Sequence, residues 1–254
     1  MLDQDKMNCM TLIAGKNASA TGRVLVAHNE DDGGFVVVRH GWVPPQDWAA
    51  GSVMSAEEGC AEIPQVSHTL GYSWTEYRKD TCGLTTADGF VNECGVVIVS
   101  NSMGTSRESM ENADCVKNGG IGYNLRRALA ERAGSAREGA RILMELIDEW
   151  GYAPSGRAYT IADKDEAFMF QLVRGRHYMG ARVPDDALAV MPNHYNLHSL
   201  HDCPEMFYPA DLVSYAIDQG WYAPAHHGDY SDFDFAAAYQ LPEEYFGPRN
   251  VMRQ

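Results

Sequence analysis

The sequence lacks several features that would assign it to common functional classes. No apolar run approaches the roughly 20 residues of a membrane-spanning helix. The N-terminal stretch MLDQDKMN carries two aspartates and no apolar segment, so we expect no secretory signal and a cytoplasmic protein. Positive charge is also scarce, and the formal net charge of −15 disfavours nucleic acids and anionic membranes as partners, because phosphate groups would be repelled.

Motifs of metal, nucleotide and serine-hydrolase chemistry are also missing. The six cysteines form no C-x-x-C pair, so zinc and thioredoxin chemistry are disfavoured. There is no P-loop, no G-x-G-x-x-G and no G-x-S-x-G. The histidine-rich segments His194–His201 and His226–His227 lack H-E-x-x-H, and we interpret them as loops rather than metal sites.

What the sequence does contain is alternating strand and helix patterns. With 254 residues and 45% hydrophobic residues, the chain can bury a substantial core. Short apolar, β-branched runs separated by turn residues predict strands on both sides of a central helical region. These strand predictions cover 10–14, 23–28, 35–40, 84–91, 96–100, 158–162, 166–173, 177–183 and 188–191.

The central region changes to helical spacing. Apolar residues between 119 and 134 predict one helix, and a capping box from Ser135 to Glu138 predicts the start of a second, which Gly151 ends. A further helix is predicted from Pro209 to Gln219. The order of strands, two helices and strands again predicts an α+β domain with two antiparallel sheets and helices packed on them.

Cys9 stands at the head of the first predicted hairpin, which is the layout of an N-terminal nucleophile site. In that chemistry a cut before the nucleophile frees its own α-amino group, whose pKa near 8 lets it accept the thiol proton, which has a pKa of roughly 8.5. The hairpin brings residues about twenty positions later beside Cys9. Asp31 is therefore placed to orient the new amino group.

Several separated motifs carry a family resemblance. The stretch from Cys9 through LIAGKNASATGRVLVAHNED resembles the start of the C69 dipeptidase family of N-terminal nucleophile (Ntn) hydrolases. GFVNECGVVIVSNS is similar to its N-E-x-G-V hairpin, and ERAGSAREGARILMELIDEWG to its paired helices. YTIADKDEAFMFQLVRGRHYMGARVPDDALAVMPNHYNL is similar to a later segment of the family, and a weaker match covers 249–254.

The resemblance implies a four-layer αββα sandwich that hydrolyses small peptides or other amides, with neither a metal nor an organic cofactor. It implies Cys9 as the nucleophile and Asp31 as the contact of its amine. Asn101 falls near the oxyanion position and Asn193 at an asparagine of the wider superfamily, while Arg249 matches a distant site arginine. His28 stands where the family has arginine, which predicts weaker or pH-dependent support of the thiolate.

The expected domain organisation is a leader of residues 1–8, removed by self-cleavage, followed by an Ntn-hydrolase domain over 9–254 that is shorter than the family chain. Two alternatives remain open. One is an acylase of the choloylglycine or penicillin V type, and the other is an unprocessed, non-catalytic relative that binds a peptide or a partner. Met10, where the family commonly has threonine, and His28 favour the second alternative. The oligomeric state, a homo-oligomer included, is left open.

Overall fold

The computed structural model describes residues 9–30, 36–54, 57–79, 85–103, 106–107 and 116–241. Two antiparallel sheets and a pair of packed helices dominate this part of the chain. None of its helices has both the length and the apolar character needed to cross a membrane. The predicted α+β class with two antiparallel sheets is therefore confirmed.

The larger sheet has eight strands in the order β15-β13-β12-β11-β10-β9-β8-β3. Except at its β3 and β15 edges, neighbouring strands also follow each other along the chain. Their bounds are β3 Val36–Val43, β8 Tyr72–Lys79, β9 Thr85–Asn92, β10 Val97–Ser102, β11 Tyr152–Ala162, β12 Ala167–Gly175, β13 Tyr178–Arg182 and β15 Met206–Phe207. Two small two-stranded ladders, β4 Gln46–Asp47 with β7 His68–Thr69 and β5 Val53–Met54 with β6 Ile63–Pro64, complete this half.

The smaller sheet contains the N-terminal hairpin. Its order is β14-β1-β2, with bounds β1 Met10–Ala14, β2 Leu25–Asn29 and β14 Leu188–Met191. β1 is the central strand, and Thr11 is opposite His28 on one side and Met191 on the other. The predicted hairpin is thus present, and a strand from much later in the chain pairs with its first strand.

Helices α1 Asn124–Arg132 and α2 Ala136–Trp150 pack on one face of the larger sheet. The Ser135 side chain accepts a hydrogen bond from the Glu138 backbone N–H, as the capping box predicted. Glu138 in turn accepts from the backbone N–H of Gly134 at 2.9 Å. Gly151 ends α2 with a φ of 74°, a left-handed conformation that favours glycine.

The turn after β9 joins the sheet to this helix pair. Asn92 Oδ1 accepts from the backbone N–H groups of Cys94 and Val96, while its Nδ2 donates to the carbonyls of Ala130 and Ala133. One buried side chain therefore shapes the hairpin and satisfies carbonyl groups at the end of α1.

A second core covers the opposite face of the larger sheet. The inner side chains of the smaller sheet, Ile13 and Met191 among them, fill one part of this core. Helices α3 Leu212–Asp218 and α4 Phe235–Tyr239 fill the rest. Leu12 and Val190 on the outer face of the smaller sheet are 45% and 39% exposed. Helices, large sheet and small sheet thus form three consecutive layers, and no helix among the described residues forms the fourth.

Candidate active site

The start of β1 points alternate side chains into the space between the sheets. Cys9, Thr11 and Ile13 are 1%, 0% and 1% exposed, whereas Leu12 between them faces outward. This is the period-two alternation of a strand with one buried face. Cys9 is two residues from Thr11, and both side chains are buried, so they share the buried face.

The strand register indicates which residues flank Cys9. The ladders pair Thr11 with Met191 and with His28. Cys9 lies one residue before the Met10–Asn29 pair, Glu30 follows Asn29, and Asn193 lies two residues beyond Met191. Asn193 is 1% exposed, and its Nδ2 donates to the Ser102 carbonyl at 2.8 Å, next to the end of β10.

A hydrogen-bond network connects the two sheets beside Cys9. Thr11 Oγ1 donates to Asn101 Oδ1 at 2.7 Å and lies 2.9 Å from His28 Nδ1. Asn101 Nδ2 donates to the Met191 carbonyl at 2.9 Å, and Asn101 is 1% exposed. The opposite ring nitrogen of the histidine, Nε2, lies 3.4 Å from Glu30 Oε2.

Asn193 has one polar atom with no hydrogen-bond partner in the part of the chain that the structure describes. Its Nδ2 bond to Ser102 fixes the amide orientation, and its buried Oδ1 has no partner among the described residues. A buried, unsatisfied acceptor costs about 1–3 kcal/mol, so this oxygen is suited to accept a further hydrogen bond. The segment that holds Asn193 is itself anchored, since Tyr195 donates its hydroxyl to the Leu172 carbonyl at 2.8 Å.

Other cysteines in the described part of the chain are poorly suited to be nucleophiles. Burial raises the pKa of the Cys60 thiol, and the Glu57 carboxylate raises it further. Burial also raises the pKa of Cys203, with Asp202 adding to the effect. Cys94 is exposed in the turn between β9 and β10. Since the thiolate is the nucleophilic form, the raised pKa values keep Cys60 and Cys203 protonated.

The comparison with known families supplies the decisive observation. The family model described as "Peptidase family C69" matches residues 8–249 of the chain. The chain belongs to peptidase family C69. The family prediction made from the separated motifs is therefore confirmed.

Relatives of this C69 chain include proteins named as dipeptidases. Dipeptidase A of Lactobacillus helveticus is 28% identical over 255 residues, covering 95% of the chain and 52% of that protein. A probable dipeptidase B of Streptococcus pyogenes serotype M6 is 28% identical over 195 residues, covering 74% of the chain and 38% of that protein. The chain thus spans about two fifths to one half of the length of these relatives.

A solved structure similar to the C69 chain is penicillin V acylase from Agrobacterium tumefaciens. The two share 12% sequence identity with a TM-score of 0.39, over 72% of this chain and 49% of that one.

Of the six site residues predicted from sequence, the C69 structure brings four into one region. Cys9, His28, Asn101 and Asn193 lie at the facing ends of β1, β2, β10 and β14. Asp31 and Arg249 lie outside the described residues. Sequence reasoning missed Thr11. The signal that could have found it is strand alternation, which puts it on the same face as Cys9.

The histidine-rich segments of the C69 chain do not converge on a metal site in the part that the structure describes. No group of three or more His, Cys, Asp or Glu side chains there could hold a metal ion. The His198 Nδ1 lies 2.9 Å from Asp234 Oδ2, with both side chains exposed.

Proposed function

We propose that this C69 chain is a cysteine-type N-terminal nucleophile peptidase that hydrolyses dipeptides once residues 1–8 have been removed. The observation that carries the proposal is the buried cysteine Cys9 directly before the central strand, two residues from the Thr11 hydroxyl that bonds to Asn101 of the larger sheet. Family membership and the dipeptidase names of relatives support a peptidase activity. The nucleophile, its processing and the preference for dipeptides are parts of the proposal.

Removal of residues 1–8 would make Cys9 its own general base. The freed α-amino group has an ordinary pKa near 8, so a useful fraction is neutral at physiological pH and accepts the thiol proton, directly or through water. The thiolate then attacks the carbonyl carbon of the peptide bond. The leaving amine takes the proton, a thioester remains on Cys9, and water hydrolyses it to the free acid and thiol.

The two buried asparagines supply complementary polar groups in this scheme. One N–H of Asn101 Nδ2 is occupied by the Met191 carbonyl, and we assign the second to the developing oxyanion. One such donor is worth on the order of 3 kcal/mol in the barrier. Asn193 differs because its Oδ1 has no hydrogen-bond partner within the described ranges, so we assign it as an acceptor for the new α-amino group of Cys9. Asp31 is assigned to the same amino group, and Arg249 to a more distant part of the site.

His28 and Glu30 flank the site from β2 and the residue after it. His28 Nε2 lies 3.4 Å from Glu30 Oε2, and this carboxylate would stabilise the imidazolium whenever both ring nitrogens carry a proton. An imidazolium in the place of the family's arginine would support the thiolate through charge, without the planar fork of a guanidinium.

Intact-mass spectrometry on the purified chain tests processing. We expect a mass lacking residues 1–8 for the native sequence and a full-length mass for Cys9→Ala. The control is Cys94→Ser, which replaces an exposed turn cysteine and should be processed like the native chain. A full-length native mass, with peptide mapping that shows iodoacetamide on Cys94 and none on Cys9, would refute the nucleophile assignment.

A substrate panel tests the reaction class. Release of free amino acids from dipeptides, abolished in Cys9→Ala and kept in Cys94→Ser, is the expected result. Cys9-dependent release of a fatty or bile acid from an acylated amine, without dipeptide hydrolysis, would replace the dipeptidase by an acylase. An unprocessed chain that binds dipeptides without hydrolysing them would favour the non-catalytic alternative.

A further inference from the structure

The hydroxyl of Thr11 lies between two of the proposed site residues. Thr11 is fully buried, and its Oγ1 is 2.7 Å from Asn101 Oδ1 and 2.9 Å from His28 Nδ1. A threonine hydroxyl has a single proton to donate and lone pairs to accept with. Only one of these two contacts can therefore use the Thr11 proton.

The orientation of Asn101 decides where that proton goes. Asn101 Nδ2 donates to the Met191 carbonyl at 2.9 Å, so Oδ1 is the atom that faces Thr11. The flipped amide would set a carbonyl oxygen against the Met191 carbonyl, which is repulsive. The Asn101 oxygen can only accept, and the Thr11 proton therefore points to it.

His28 must then be the donor in the second contact. With its proton on Asn101, Thr11 Oγ1 offers only a lone pair to His28 Nδ1. A bond of 2.9 Å between them requires a proton on Nδ1. The opposite nitrogen, Nε2, faces Glu30 at 3.4 Å, so His28 can take up a second proton there without losing Thr11.

We propose that Thr11 is a positioning residue, whose hydroxyl holds the Asn101 amide in one orientation and keeps the His28 proton on Nδ1. Its effect on catalysis rests on the proposed function, whereas its effect on the His28 tautomer does not. Thr11 acts through Asn101 and His28 and takes no part in bond making. The Thr11 hydroxyl connects β1 of the smaller sheet to β10 of the larger sheet through Asn101.

Two substitutions separate the hydroxyl from the shape of the side chain. Thr11→Val keeps the β-branched form and the strand preference but removes the hydroxyl. Thr11→Ser keeps the hydroxyl and removes a methyl group, so it is the matched control. If only the hydroxyl matters, serine should behave like the native residue and valine should not.

Histidine-ring ¹H–¹⁵N NMR reads the tautomer directly. The His28 signals are assigned by their loss in His28→Gln. We expect Nδ1 to carry a proton in the native chain and in Thr11→Ser, and the neutral ring to move to the Nε2–H form in Thr11→Val. A native His28 found as the Nε2–H tautomer would overturn the proposal even if the valine variant did not fold. An unchanged Nδ1–H tautomer in folded Thr11→Val would overturn it as well.

Dipeptide hydrolysis supplies the second readout. Thr11→Val should lower kcat about tenfold, the size expected for one lost positioning hydrogen bond, with KM within about twofold of native. Thr11→Ser should stay within about twofold of native in both. Unchanged kcat in folded Thr11→Val would refute a catalytic effect of positioning. If native chain shows no Cys9-dependent hydrolysis, the proposed function fails and the NMR result alone decides the role of Thr11.

Discussion

The side-chain amide of Asn101 donates a hydrogen bond to the backbone carbonyl of Met191 at 2.9 Å, and so links β10 of the larger sheet to β14 of the smaller one. Met191 is paired with Thr11, whose hydroxyl donates to the same amide. A single buried side chain thus ties β1 and its neighbour β14 to the larger sheet. Changes at Asn101 should therefore affect stability and activity together.

Replacing Asn101 with alanine should lower the free energy of unfolding by about 1–3 kcal/mol, because the buried Met191 carbonyl and the Thr11 hydroxyl each lose a partner. The proposed peptidase activity should fall by about 10²–10³-fold through loss of the oxyanion donor. Urea unfolding and dipeptide kinetics measure the two effects. Asn17→Ala in the exposed turn after β1 is the control and should change neither quantity.

Asn193→Leu should separate stability from activity. The variant loses the bond to Ser102 but also removes a buried oxygen that has no hydrogen-bond partner in the described part of the chain, so the two effects on unfolding free energy oppose each other. We expect a stability change within about 1 kcal/mol and a large loss of dipeptide hydrolysis. Full activity in a folded Asn193→Leu protein would remove this residue from the site.

Glu57 caps the start of α1 from a distant part of the chain. Its carboxylate accepts from the backbone N–H of Tyr123 at 3.0 Å and from that of Asn124. Glu57→Gln should lower the free energy of unfolding by about 0.5–1 kcal/mol, because the negative charge at the helix N-terminus is lost. Glu58→Gln, at an exposed neighbour, should have no effect. Equal unfolding curves for both variants would show that the cap contributes nothing.

His177 should make stability depend on pH. Burial lowers the pKa of His177. The Asp211 carboxylate, whose Oδ2 lies 3.4 Å from His177 Nε2, raises it by a smaller amount. The unfolded chain then binds a proton more readily than the folded chain. The contribution of neutral His177 to the free energy of unfolding is therefore fully present above about pH 6.5 and is lost as the pH falls below that value. His177 also stacks on Tyr215, with ring centroids 4.0 Å apart.

The measurement is urea unfolding at pH 7.5 and pH 5.5. From pH 7.5 to pH 5.5, the free energy of unfolding should fall less in His177→Gln than in the native chain. The variant should also be less stable at pH 7.5, because the stacking of His177 on Tyr215 is lost. His201→Gln, at an exposed loop position, should retain the native drop. An identical drop in His177→Gln would assign the acid sensitivity to other groups.

Local signals predicted several elements to within a few residues. The strand expected over 188–191 is present with those bounds, and the Ser135 cap begins α2 as expected. Two starting positions were wrong by about one helical turn or more. The first helix was predicted from 119 but starts at Asn124, since Gly119 and Gly120 adopt left-handed φ values of 90° and 74°. The strand predicted from 158 starts at Tyr152, because a register shift between Tyr152 and Gly156 interrupts its alternation.

The site was predictable only in part, for a physical reason. Cys9 was proposed as the nucleophile from its residue type, the hairpin that follows it and the family resemblance of the separated motifs. Thr11 did not, since a threonine in a strand is ordinary until its partners are known. Its role depends on Asn101, which is 90 positions away in the chain, and on the sheet contact that joins them.

By itself, the sequence determined the family, the α+β class and the hairpin that begins at Cys9, because those depend on residue type, periodicity and turn chemistry along short stretches. Only the tertiary structure decided that β14 pairs with β1, that Glu57 caps α1 and that one hydroxyl orients Asn101 and His28. Such contacts join segments far apart in the chain. Their geometry is set by how the two sheets pack, and no local pattern encodes that packing.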